Sequence, residues 1–112
     1  MGSAWVKRGQ GPQLEKGHTR IANELLEHLA KHLTASGNQL AVMLLVMRFS
    51  YGFQRKYADF TVTELATRLA VDRANARRSV NSLVARNMLT VTPRPGHLRK
   101  RYRVLKDWRR WV

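Results

Sequence analysis

A mainly α-helical domain closed by a small β-hairpin, the layout of a winged helix-turn-helix, is the fold this sequence predicts. Three observations point to it. Apolar residues recur at helical spacing through the first two thirds; two helix-start signatures stand at Ser36–Gln39 and Thr61–Glu64; and two alternating segments flank a proline-glycine loop near the end. At 112 residues, 44% of them hydrophobic, the chain can bury one core and is too short for two.

The elements follow in order. Residues 1–17 hold Gly2, Gly9, Gly11, Pro12 and Gly17 without periodicity and read as a flexible N-terminal arm, leaving 18–112 as the folded domain. From about Thr19 to Leu33, residues Ala22, Leu25, Leu26, Leu29 and Leu33 form one stripe of an amphipathic first helix. Ser36-Gly37-Asn38-Gln39 has the form of a capping box and opens a second helix through the apolar run Leu40 to Met47. That helix should reach about Tyr51, be stopped by Gly52, and form the buried centre.

Phe53 to Phe60 reads as a turn and a small strand. Thr61-Val62-Thr63-Glu64 repeats the capping-box form before a two-turn helix carrying Leu65, Ala66 and Leu69, and the chain turns at Ala70-Val71. Asp72 suits the N-cap of a fourth helix ending near Asn87, with Ala76, Val80, Leu83 and Val84 as its inner stripe. Leu89 and Val91 then alternate with Thr90 and Thr92, and Leu98, Tyr102 and Val104 should share a face opposite Arg99, Arg101 and Arg103, with Pro93–His97 as the hairpin tip. Trp108 and Trp111 are placed to pack back on the first helices.

Charge gives the functional direction. Twenty-one Lys and Arg against seven acids leave a formal charge of +14, which calls for a polyanionic partner, nucleic acid ahead of an anionic membrane surface. The excess is local: residues 1–50 hold six basic and three acidic side chains, whereas 72–112 hold twelve basic ones, ten of them Arg, against Asp72 and Asp107. Arginine in such excess suits forked hydrogen bonds to phosphate and guanine better than a general solubility role. Double-stranded DNA is the expected partner.

A short helix, a tight turn and a longer helix place the longer one in the major groove. With Ala76, Val80 and Leu83 inward, the wheel turns Arg77, Arg78 and Asn81 outward, with Arg73 and Asn75 at the N-terminal end; these five are the expected base-contacting residues, beside small Ala74. The bland alternative, a solvated arginine face on an ordinary helix, is weakened by the arginine-rich hairpin that follows. On that hairpin, Arg94, Arg99, Lys100, Arg101 and Arg103 suit phosphate neutralisation, against the alternative of edge protection. Thr61 and Thr63 are candidate phosphate contacts, although capping explains them equally well.

Catalysis finds no support. His28 and His32 are spaced i, i+4 without an apparent third ligand and read as a polar helix flank. The sequence has no Cys, no phosphate-binding loop, no nucleophile elbow and no H-E-x-x-H, so neither catalytic residues nor a metal or cofactor is expected and the chain is read as a non-enzyme. The eight-residue apolar run is far below the roughly twenty residues that cross a bilayer, so a cytoplasmic protein without membrane contact is expected. Any homodimer should use the N-terminal arm and first helix or the Trp108–Trp111 tail, because the arginine faces repel one another.

Beyond these readings, the sequence resembles the N-terminal domain of the bacteriophage replication protein O family. The resemblance rests on the run from Gln13 to Leu26 (QLEKGHTRIANELL), on Ser36-Gly37 before an apolar helix ending Tyr51-Gly52-Phe53, on the helix-turn-helix, and on Leu105-Lys106-Asp107-Trp108, and it spans about residues 13–111. It implies binding to repeated sites at a phage replication origin, often as a dimer, followed by DNA melting and helicase recruitment. In that family helicase-loader contacts lie in a C-terminal region, so contacts with replication proteins are expected only through regions not present here. Two other functions stay open at this stage: a winged-helix transcriptional regulator of phage or bacterial origin, and a winged-helix module for protein interaction or for structured RNA.

Overall fold

The structure, a computed structural model, describes residues 11–34 and 36–112. Four helices and a three-stranded antiparallel sheet form two layers in a winged helix-like fold: α1 (Asn23–His32), α2 (Gly37–Ser50), β1 (Ala58–Phe60), α3 (Val62–Leu69), α4 (Arg73–Ala85), β2 (Leu89–Thr92) and β3 (Lys100–Val104). Of the expected arm, residues 1–10 lie outside the described residues, and the remainder carries a 3-10 turn at Leu14–Lys16.

The helix α2 is the centre of the core. Val42, Met43, Val46 and Met47 are fully buried, Leu40 and Leu45 pack on the cluster from its margin, and Leu44 faces out. The first helix starts later than its apolar stripe suggests, at Asn23 after extended Ala22, and contributes Leu25 and Leu29 to the core. The start of α2 differs from expectation in chemistry. Ser36 makes no side-chain cap and, at ψ 65°, lies outside the extended region that capping needs, whereas Thr61 (ψ 159°) and Asp72 (ψ 162°) sit in it, and both cap. The end of α2 differs too. The stop is left-handed Gln54 (φ 58°) after a 3-10 turn at Tyr51–Phe53, not Gly52. Gly52 serves close approach instead: a Cβ there would lie 2.9 Å from both Arg48 Nη1 and Thr19 Oγ1.

The expected hairpin is one part of a larger sheet. Its order is β1-β3-β2, with Ala58 opposite Tyr102 and Phe60 opposite Lys100 in one pairing, and Leu89 opposite Val104 in the other. The face carrying Tyr102 and Val104 packs on α2, so Arg101 and Arg103 point away from the helices. Leu98 is not in that alternation. It precedes the strand, in the wing loop, and is 92% exposed.

The C-terminal segment closes the domain against α1, as anticipated. Trp108 stacks on His28 with ring centroids 3.7 Å apart and donates from its indole N–H to Glu24, while buried Trp111 meets His32 edge-on and donates to the Leu105 carbonyl. Arg86, just beyond α4, donates to the His32 carbonyl, Gln39 Oε1 and the Val112 carbonyl, tying α1, α2 and the tail together. The two histidines are thereby accounted for as partners of the tryptophans.

Candidate nucleic-acid interface

The helix-turn-helix is built by local capping. The Thr61 hydroxyl accepts from the Glu64 amide (3.0 Å) and the Glu64 carboxylate accepts from the Thr61 amide (2.9 Å), the reciprocal pair that starts α3. Ala70, left-handed at φ 57°, makes the turn, and its amide bonds back to the end of α3. Asp72 then caps α4, its carboxylate accepting from the Asn75 amide at 2.7 Å, an arrangement that typically contributes about 1 kcal/mol.

Packing against α2 and α3 fixes which side of α4 faces out. Ala76, Val80 and Leu83 are buried, and Ser79 joins them. Val84, expected in that stripe, is 41% exposed because it falls about 40° past Val80 on the wheel. Arg73, Arg77, Arg78 and Asn81 are exposed and Asn75 is half-buried, so all five predicted residues lie on the outer side or N-terminal end. They are not equivalent. The Asn75 amide group donates to Asp72 (3.1 Å) and its oxygen accepts from the Arg78 guanidinium, so Asp72, Asn75 and Arg78 form one chain. Arg73 reaches the Thr63 hydroxyl at 3.5 Å, which places Thr63 beside the face rather than at a cap.

The wing is a different electrostatic object. Three of its arginines are met by acids that sequence spacing did not connect to them. Arg99 makes a bidentate pair with Glu64 (2.9 and 2.6 Å), Arg94 pairs with Asp59 at 3.0 Å, and Arg101 reaches the other oxygen of Asp59 at 3.5 Å while its guanidinium lies 3.7 Å from the Tyr57 ring centre. The hydrogen bond from Arg99, with that from the Thr61 amide, holds the Glu64 carboxyl down to about 2 from its ordinary 4.5. Lys100 and Arg103 are exposed and make no ion pair among the described residues. The expected wing set therefore divides into three tethered arginines and two freer cations, and Asp59 and Glu64 join the site as residues that the sequence reading missed.

The comparisons with known proteins bear on this arrangement. A family model described as bacteriophage replication protein O matches residues 11–111. The chain belongs to that family. Membership gives the chain a replication-related role of a DNA-binding kind, which agrees with the basic faces of α4 and the wing. No curated protein and no solved structure matches the chain. Among the described residues no helix is long and apolar enough to cross a membrane, and no group of three or more His, Cys, Asp or Glu side chains is placed to hold a metal ion.

Proposed function

We propose that this chain binds double-stranded DNA sequence-specifically at repeated sites of a phage replication origin, as a binding module without catalysis. The helix α4 enters the major groove and the wing follows the backbone. The observation that carries the reading is the Asp72–Asn75–Arg78 chain at the start of α4, flanked by exposed Arg77 and Asn81. A guanidinium held by a neighbouring amide loses less freedom when it forks onto guanine O6 and N7, so part of the ordering cost of base recognition is met before DNA arrives. Arg73 with Thr63, together with Lys100 and Arg103, supplies phosphate contacts that set register without reading sequence.

Selection of bound duplexes from a random pool tests this directly. Recovery of a consensus recurring in tandem within an origin, with a preference that relaxes at one base position in Arg78→Ala, is the expected result. No consensus at any salt concentration, or a consensus confined to promoters, would overturn origin recognition.

A further inference from the structure

A second basic surface runs from α3 and the end of α2 to the wing. Three aromatic rings run along the end of α2, the following turn and the edge of the sheet, and each is shared by two arginines. Phe49 is flanked by Arg68 (4.3 Å from the guanidinium carbon to the ring centre) and Arg48 (5.0 Å), Phe53 by Arg48 (5.2 Å) and Arg55 (5.8 Å), and Tyr57 by Arg55 (5.6 Å) and Arg101 (3.7 Å). The strip is continuous from Arg68 to Arg101. It opens onto a groove of about 430 Å³ on the outer sheet face, where Lys56, Thr90 and Arg103 join Tyr57 and Arg101.

We propose that this ribbon is a binding surface for single-stranded DNA, distinct from the duplex-reading helix and sharing Arg101 and Arg103 with the wing. Phe53 is 54% exposed, so it contributes little to the core, and a cation on an exposed ring gains only about 0.5–1 kcal/mol. Against that gain, successive arginines on shared rings repel one another, and the one carboxylate bonded to the strip, among the described residues, is Asp59, already divided between Arg94 and Arg101. Such a strip is an unfavourable surface in isolation and a favourable one beside a polyanion. The rings select which polyanion. Bases in a duplex are stacked on one another and offer no face to a side chain outside, whereas unpaired bases stack on aromatic and guanidinium planes while phosphates track the cations. Gly52 fits this arrangement, since a side chain there would crowd the Arg48 guanidinium where it lies between Phe49 and Phe53.

The test is fluorescence anisotropy of the full chain with a labelled oligothymidine of about ten nucleotides, the same phosphodiester without bases, and the preferred duplex. Oligothymidine should bind more tightly than the baseless strand. Phe53→Ala, at an exposed position, should keep the native circular dichroism spectrum and lose roughly fivefold or more in oligothymidine affinity. Its duplex affinity should change by less than about twofold, since the ring offers nothing to paired bases. Arg55→Ala provides a second probe and should weaken oligothymidine binding more than Phe53→Ala does, because charge and stacking are lost together. Arg78→Ala should do the reverse, losing the duplex and keeping the single strand, so failure of duplex recognition would not touch this proposal. Equal binding of the baseless strand, no loss in Phe53→Ala, or a tighter complex with oligouridine would overturn it.

Discussion

The outer side of α4 and the wing carry the same kind of charge in opposite circumstances. On α4 the arginines are exposed or held by neutral partners, as Arg78 is by Asn75 and Arg73 by Thr63. On the wing, Arg94, Arg99 and Arg101 already have carboxylates. A count of basic residues weights the two alike, but counterion release follows the charge that is free to meet phosphate. Arg94, Arg99 and Arg101 thus hold the wing against β1 and α3, which leaves less of their charge free.

The largest expected effect separates the two surfaces. Arg78→Ala should cost about 1–3 kcal/mol on the preferred duplex and much less on a scrambled one, measured by parallel salt titrations. Equal losses on both duplexes would reduce α4 to a backbone contact and erase the distinction.

The second prediction releases a tethered charge. Glu64→Gln keeps an oxygen to accept from the Thr61 amide and removes the partner of Arg99. Affinity for random duplex should rise severalfold, and the slope of log affinity against log salt should steepen by about one unit. An unchanged slope would mean that Arg99 never reaches phosphate.

A smaller effect is expected at Arg101. Its replacement by Ala should weaken cognate and scrambled duplexes alike, flattening the salt slope by less than the roughly one unit of a fully free cation, because Asp59 already shares its charge. A full unit of change would place Arg101 among the freer cations with Arg103.

Acid gives the smallest effect. The Glu64 carboxyl titrates at about 2 in the folded chain against an ordinary 4.5, so the unfolded chain binds the extra proton first. The stabilisation is therefore present above about pH 4.5 and is lost as pH falls towards 2. The pair is largely exposed, which keeps its contribution modest. Thermal melts of the parent and Glu64→Gln should differ in slope across that window and run parallel above it.

What the sequence made legible was what local chemistry decides. Thr61–Glu64 and Asp72 lie next to the helices they start, and both caps form as read. The second capping signature, at Ser36, failed because a matching residue pattern does not fix the ψ angle on which the bond depends. The pairing of β1 with β3 was hidden because three residues are too few for alternation to register. The acids of the wing were hidden by distance: Glu64 and Arg99 stand 35 residues apart, and only the three-stranded sheet brings such partners together. Leu98 was misplaced for a related reason, since alternation says nothing of where a strand begins.

The carboxylate of Glu64 serves two masters, the first turn of α3 and the wing. Any partner that draws Arg99 towards itself changes the company kept by the group that protects the Thr61 amide. The exchange of that single backbone proton with solvent deuterium becomes a gauge of wing occupancy, legible at one residue and needing no label on the DNA.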